Sequence, residues 1–269
     1  MSIEALIFDV DGTMADTEEA HRVAFNLAFE RYRLGWVWSR TEYRELLKVT
    51  GGKERLRAYV ERLALTAAER KRLAELVPSI HAEKTKFYTS VVSDGGVPLR
   101  DGVARLLDEA RHAGYRLAIA STTTAANVDA LLESTLGCGG LEMFSVIACG
   151  DQVRAKKPAP DIYQLALRHL GLEADQALAF EDSANGLRSA HAAGLWTVVT
   201  PTFWTQGGDF SAADLLLPRL GDPEDPIGGE PGGRLQTAAW LTIDELMELA
   251  APAPAMNTVR ALYEQGTAR

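Results

Sequence analysis

The chain has 269 residues, 46% of them hydrophobic, with 28 basic and 37 acidic side chains and a formal charge of −9. That acidic balance argues against broad binding to nucleic acid or to an anionic membrane surface. No run approaches the roughly 18 apolar residues of a membrane span, and the N-terminus shows no basic stretch followed by a long apolar one. Cys138 and Cys149 stand at no metal-ligand spacing and read as reduced thiols, so a cytoplasmic protein is expected.

A first apolar strand at 5–8 (ALIF) runs into DVDGT. From Thr17 to about Val92 every pattern is helical: 18–33, 41–49, 53–63, 67–76 and 78–88, the last two parted at Pro78. The stretch SDGGVPL at 93–99, with Gly95, Gly96 and Pro98, reads as a hinge. Strands then alternate with helices: helix 102–113, strand 116–120, helix 125–135, strand 145–148, helix 161–170, strand 177–180, helix 184–193, strand 196–199 and a weaker strand at 214–217. Gly114, Gly171 and Gly194 sit just past three of the helices, the usual C-terminal stop. Residues 221–233, rich in glycine and proline, should form an irregular surface loop, followed by a helix at about 242–250 and a further helix in the tail.

This alternation predicts an α/β fold, a doubly wound and mostly parallel sheet with helices on both faces. The helical stretch interrupts it, so residues 17–93 are expected to form an inserted cap and residues 1–16 with 94–269 the catalytic core.

The strand ends carry the chemistry. Asp9 and Asp11, two apart, share a face if the chain stays extended. In a parallel sheet the carboxyl ends of the strands form the ligand crevice, and two carboxylates there need a cation, for which Mg²⁺ is suited. An EF-hand loop counted from Asp9 fails, because Met14 and Ala20 stand where it needs Gly and Glu. The strand at 116–120 ends in Ser121, Thr122 and Thr123 before a helix, either a phosphate cradle or ordinary caps. KKPAPD supplies Lys156 and Lys157 on a proline-bearing loop, and AFEDSANG supplies Glu181 and Asp182. Together these ends read as a site for a metal ion and a phosphate.

DVDGT, ST, KKPAPD and EDS, in this order on an alternating α/β chain, resemble the haloacid dehalogenase superfamily of phosphotransferases. EEAHRVAFN, TGGKERL, EDSANGLRSAHAAGL and GGRLQTAAWLTIDEL further resemble its CbbY branch. The resemblance implies Asp9 as nucleophile and Asp11 as general acid and base, with a raised pKa expected for Asp11. It implies Mg²⁺ on Asp9, the Asp11 carbonyl and Asp182 with Glu181 beside them, either acid being a candidate direct ligand. Ser121 and Thr122 would hold the phosphoryl group, and Lys157, next to the proline, would be the family lysine, leaving Lys156 at the surface. The branch implies removal of xylulose-1,5-bisphosphate, a Rubisco inhibitor.

The cap should carry specificity. Glu18 and His21 lie three apart on one helix and can face together, a site role the resemblance favours. Gly51 and Gly52 permit close approach of the backbone, and Lys53 and Arg55 could bind a second phosphate. The histidines at 81, 112, 169 and 191 read as structural. The expectation is therefore a monomeric, Mg²⁺-dependent sugar-phosphate phosphatase. A phosphosugar mutase like β-phosphoglucomutase and a non-catalytic binding protein are the alternatives.

Overall fold

The computed structural model describes residues 2–227, 235 and 239–251. Six parallel strands, β1 (Ala5–Phe8), β2 (Arg116–Ala120), β3 (Phe144–Ala148), β4 (Ala177–Glu181), β5 (Trp196–Val199) and β6 (Leu215–Leu216), stand in the order β3-β2-β1-β4-β5-β6. β1 is central, with Ile7 paired to Ala118 on one side and Ala179 on the other. The order reverses beside β1, so the loops leaving β1 and β4 diverge and open the crevice there.

A central strand is covered on both faces, which is why these segments read as unbroken apolar runs. The two faces differ in size. Leu6, Phe8, Leu117, Ile119, Leu178 and Phe180 point to one face, where they meet α5 (Val103–His112), α6 (Ala125–Leu136) and α9 (Ile243–Ala250). Phe8 and Phe180 stack there at 4.4 Å. The other face is mostly alanine, and it lets α7 (Asp161–Leu170) and α8 (Ala184–Ala192) lie close against the sheet.

Between β1 and α5 come α1 (Glu18–Arg31), α2 (Arg40–Leu46), α3 (Gly52–Arg62) and α4 (Ala67–Ser93). They gather their own apolar cluster, built on Phe25, Phe29, Trp38, Tyr43, Leu46, Leu56, Val77 and Ile80. The two helices expected at 67–76 and 78–88 are one. α4 runs through Pro78, started by a Thr66–Glu69 capping box and held along α1 and α3 by Leu73, Val77 and Ile80. A proline costs an interior hydrogen bond; here the packed stripe on both sides of it carries the helix past. The two chain crossings between these helices and the sheet run side by side, with Ala15 bridged to Leu99 and Arg100 N–H donating to Met14 O (2.8 Å).

Residues 221–227 form irregular backbone tied down by Asp222, which accepts from Gly102 N–H (2.7 Å) and Arg105 (3.0 Å). Residues 228–233 of the expected loop, and the tail helix, lie outside the described residues. Among the described residues no helix is long and apolar enough to cross a membrane.

Candidate active site

Asp9 leaves β1 at the switch point, and its carboxylate is buried. Lys157 Nζ donates to Asp9 Oδ1 and to Glu181 Oε1, both at 2.6 Å. Tyr163 on α7 donates to the same Glu181 oxygen (2.6 Å), and Thr13 Oγ1 to Asp9 Oδ2 (3.3 Å). The ammonium is thus fixed between two strand ends, and its charge is held above the ordinary lysine range by those two carboxylates against the cost of burial.

Asp9, Glu181 and Asp182 bring carboxylate oxygens within 4.8 Å of one another. Lys157 bonds only two of these three carboxylates, and Glu181 Oε2 is buried with no hydrogen-bond partner. Burial, only partly offset by Lys157 and reinforced by Glu181 and Asp11, lifts the Asp9 carboxyl to about 7. Burial, then Asp9 and Glu181, push Asp182 well up. An oxygen-only, over-negative and under-satisfied cluster fits a hard divalent cation. Gly12, at φ +85°, closes its floor: a Cβ there would overlap the Asp182 carboxylate.

Asp11 contributes no carboxylate oxygen to that cluster. Its Oδ1 accepts from Thr17 Oγ1 (2.6 Å) and meets His21 Nε2 (2.9 Å). His21 Nδ1 lies 2.5 Å from Lys84 Nζ, and its ring stacks on Tyr88 at 4.0 Å. Burial opposes charge on Asp11, but His21, Thr17 and Lys84 hold it well below the usual carboxylate range. The raised pKa expected from sequence is therefore not what this state shows, because partners from α1 and α4 crowd the carboxylate. Burial and Lys84 lower the His21 pKa, and burial lowers Lys84 to about 7. A charged Lys84 can only donate, so it sets Nδ1 as acceptor and leaves the Nε2 proton for Asp11.

A cavity of about 780 Å³ opens above these groups. Asp9, Asp11, Glu18, His21, Gly51, Gly52, Lys53, Arg55, Ser121, Thr122, Lys157 and Asp182 all line it; Glu181 lies behind. Ser121 is buried, with its Oγ accepting from Thr123 N–H (3.3 Å). Tyr43 donates to Glu18 (2.9 Å) and accepts from Arg55 (2.9 Å), whose Nε also reaches Leu46 O (3.3 Å). Arg55 is thus partly committed inside the helical cluster. Lys53 is committed across the cavity mouth, 3.0 Å from Asp151 of the sheet half. Gly52 is needed for the approach of His81, whose Nε2 would stand 2.5 Å from a Cβ there. His81 is accordingly a wall of the cavity, pushed down to about 3 by burial and then by Lys84.

Lysine 156 lines the cavity as well, donating to Gly150 O and Val153 O (3.4 Å), rather than standing free at the surface. Sequence reading also passed over Lys84, Tyr163, Asp151, Asn185 and the segment 204–209. Lys84 had a signal: it falls on the apolar stripe Leu73, Val77, Ile80, Tyr88, where a lysine is out of place. Asn185 donates to Lys48 O (3.1 Å) and Thr50 Oγ1 (2.9 Å), joining α8 to the α2–α3 loop, a contact no local pattern reveals.

A family model described as haloacid dehalogenase-like hydrolase matches residues 6–200, so the chain belongs to the haloacid dehalogenase-like hydrolases. Within that class it lies among the CbbY proteins. It is 51% identical to the plasmid CbbY of Cupriavidus necator over 84% of this chain and 89% of that one. A crystal structure of CbbY from Rhodobacter sphaeroides in complex with phosphate superposes with a TM-score of 0.75 at 46% identity, covering 81% of this chain and 94% of that one. A mutant of the same CbbY in complex with xylulose-(1,5)bisphosphate gives 0.74 at 45% identity, with the same coverage.

Proposed function

We propose that this protein is a Mg²⁺-dependent phosphatase that hydrolyses xylulose-1,5-bisphosphate to xylulose 5-phosphate through an aspartyl phosphate on Asp9. The observation that carries the reading is the buried Asp9 carboxylate, held at 2.6 Å by Lys157 beside two further acids at the floor of a cavity of about 780 Å³. The likeness to a CbbY complexed with that bisphosphate supports the substrate.

In the first half-reaction an Asp9 oxygen attacks phosphorus and the P–O bond to the sugar breaks. Asp11 gives its proton to the departing alkoxide. In the second, the Asp11 carboxylate takes a proton from water, whose oxygen attacks phosphorus and releases Asp9. Asp9, Asp182 and the Asp11 carbonyl would hold Mg²⁺, with Glu181 beside them. The ion supplies charge neutralisation on the phosphoryl oxygens. Lys157 lowers the repulsion between Asp9 and the phosphate dianion, and Ser121 with the Thr122 backbone holds the phosphoryl group.

Asp11 starts ionised on Thr17, His21 and Lys84. It becomes an acid once it takes up a proton, and an arriving phosphate dianion beside it favours that uptake. Residues 17–93 act as a cap that shuts water out and reads the sugar through Glu18 and His21. Lys53 and Arg55, with Gly51 and Gly52 beside them, face the phosphate that is retained. By the same resemblance the cellular role is removal of a Rubisco inhibitor in the cytoplasm.

The test is phosphate release from a panel of sugar mono- and bisphosphates, with and without Mg²⁺, for the wild type and Asp9→Asn. Mg²⁺-dependent release from the bisphosphate, absent in the variant, supports the reading. Isomerised sugar phosphate without net release would make the protein a mutase. No turnover of any ester would leave a binding protein.

A further inference from the structure

The segment after β5 belongs to the sheet half of the molecule, yet its tip lies inside the helical half. Residues 202–208 make a tight hydrogen-bonded turn. Gln206 N–H donates to Thr202 O (2.8 Å), Thr202 N–H to Thr205 Oγ1 (2.9 Å) and Trp204 N–H to Thr202 Oγ1 (3.1 Å). Its root is held as well, since Arg100 donates to Thr200 O (2.8 Å). From this turn Trp204 enters the aromatic cluster otherwise made by α1 to α4 and Trp38, leaving only 4% of its surface exposed. Its ring meets Tyr43 edge-on, with centroids 5.8 Å apart and planes at 85°.

The helix α2 grips the turn from outside. Arg40 stacks on Phe203 at 5.1 Å and on Trp204 at 5.3 Å. Arg44, one helical turn on, covers Phe203 at 5.4 Å and donates to Gln206 O (2.6 Å). Tyr43, between them in sequence, ties the grip to the cavity. Its hydroxyl donates to Glu18 and accepts from Arg55, and both of these line the cavity.

We propose that Trp204 is a positioning residue through which the sheet half sets the substrate-reading face of the helices. Seated against Tyr43, it fixes the ring whose hydroxyl orients Glu18 and Arg55. A large, stiff aromatic side chain suits the task, filling the space at small conformational cost. The kinetic consequence rests on the phosphatase reading above; the seat itself is a property of the resting protein.

Two measurements on the full chain test this, using Trp204→Ala and Trp204→Phe. In Trp204→Ala the amides of α2 are expected to exchange hydrogen at least tenfold faster, while β1 and β4 keep their protection. The ratio of kcat/KM for xylulose-1,5-bisphosphate to that for p-nitrophenyl phosphate should fall at least tenfold, mostly through KM. Trp204→Phe should restore most of both. Unchanged exchange in α2, or an unchanged ratio, overturns the proposal. An equal loss on both esters overturns it too, since that places the effect at the reacting centre or on folding. Should Trp204→Ala not fold, Trp204→Leu carries the same comparison. A wild type that hydrolyses neither ester defeats the phosphatase reading instead, and α2 exchange then decides the seat alone.

Discussion

Lys157 Nζ stands 2.6 Å from Asp9 Oδ1, with both groups buried. The same ammonium serves Glu181 at 2.6 Å, so one cation holds the ends of β1 and β4 together. Removing it leaves carboxylates facing each other without compensation. Lys157→Met is expected to lower turnover at least about 100-fold. Breaking a buried ion pair from one side costs about 3–5 kcal/mol, so metal-free protein should also melt earlier. Phosphate release and thermal unfolding in EDTA check both; wild-type turnover would remove Lys157 from the mechanism.

The acid cluster links metal binding to pH. The Asp9 carboxyl sits at about 7 in the fold, against an ordinary 3.8. Between those values the folded protein keeps a proton that the unfolded chain has lost. This group's contribution to the metal-free protein therefore falls as pH rises through that window. A metal ligates only the ionised form and must displace the proton below about pH 7. Saturating Mg²⁺ should raise Tm more at about pH 8 than at about pH 5.5. Equal shifts at both would show that Asp9 is not a protonated ligand.

Lys84 is stored against its own preference, its pKa brought down to about 7 chiefly by burial. The unfolded chain holds this proton up to the ordinary 10.5, so the buried charge weakens the fold at and below neutral pH and the penalty relaxes above about 7. Lys84→Met should leave Tm at pH 6 unchanged or higher. It should cut kcat/KM at least about tenfold, because His21 loses the donor that sets its tautomer toward Asp11. Thermal melts at pH 6 and steady-state kinetics decide; a lower Tm with full activity would make Lys84 structural.

The Lys53–Asp151 pair spans the cavity mouth and is partly exposed. Such pairs contribute about 0–1 kcal/mol, so Asp151→Asn should shift Tm by no more than about 2–4 °C. It frees Lys53 and, on the proposed function, removes a negative charge from beside the place the retained phosphate would take. KM for the bisphosphate is expected to fall by up to about fivefold, with little change for a monophosphate. A raised KM for the bisphosphate would instead mark the pair as a clasp for closure.

Gly186 lies directly against the Glu181 carboxylate, which a Cβ there would overlap. Gly186→Ala must push Glu181 off Lys157 and Tyr163. Overpacking of this kind costs about 1–3 kcal/mol, a fall in Tm of roughly 3–10 °C, and turnover should drop with it. Wild-type stability and activity would mean that Glu181 can move without consequence.

Much of this was legible in the linear chain. ALIF, RLAIA and ALAF lie on strands because sheet burial on both faces demands continuous apolar runs; Asp9, Ser121 and Asp182 stand at their ends, and Lys157 on the loop after β3. The helical insertion was equally plain from its period. Pro78 misled, because a local rule about proline gave no weight to the packing of α4 along α1.

The sequence by itself determined the order of the elements, the acids and lysine at the strand ends and the class of chemistry, since these depend on period and on residue type. Tertiary structure alone decided which side chains meet. Lys84 reaches His21 across 63 residues, Asn185 reaches Thr50 across 135, and Trp204 settles against Tyr43 from the turn after β5. No local pattern names the partner in such contacts, even where a residue such as Lys84 stands out on its own helix, because only folding brings the two faces together.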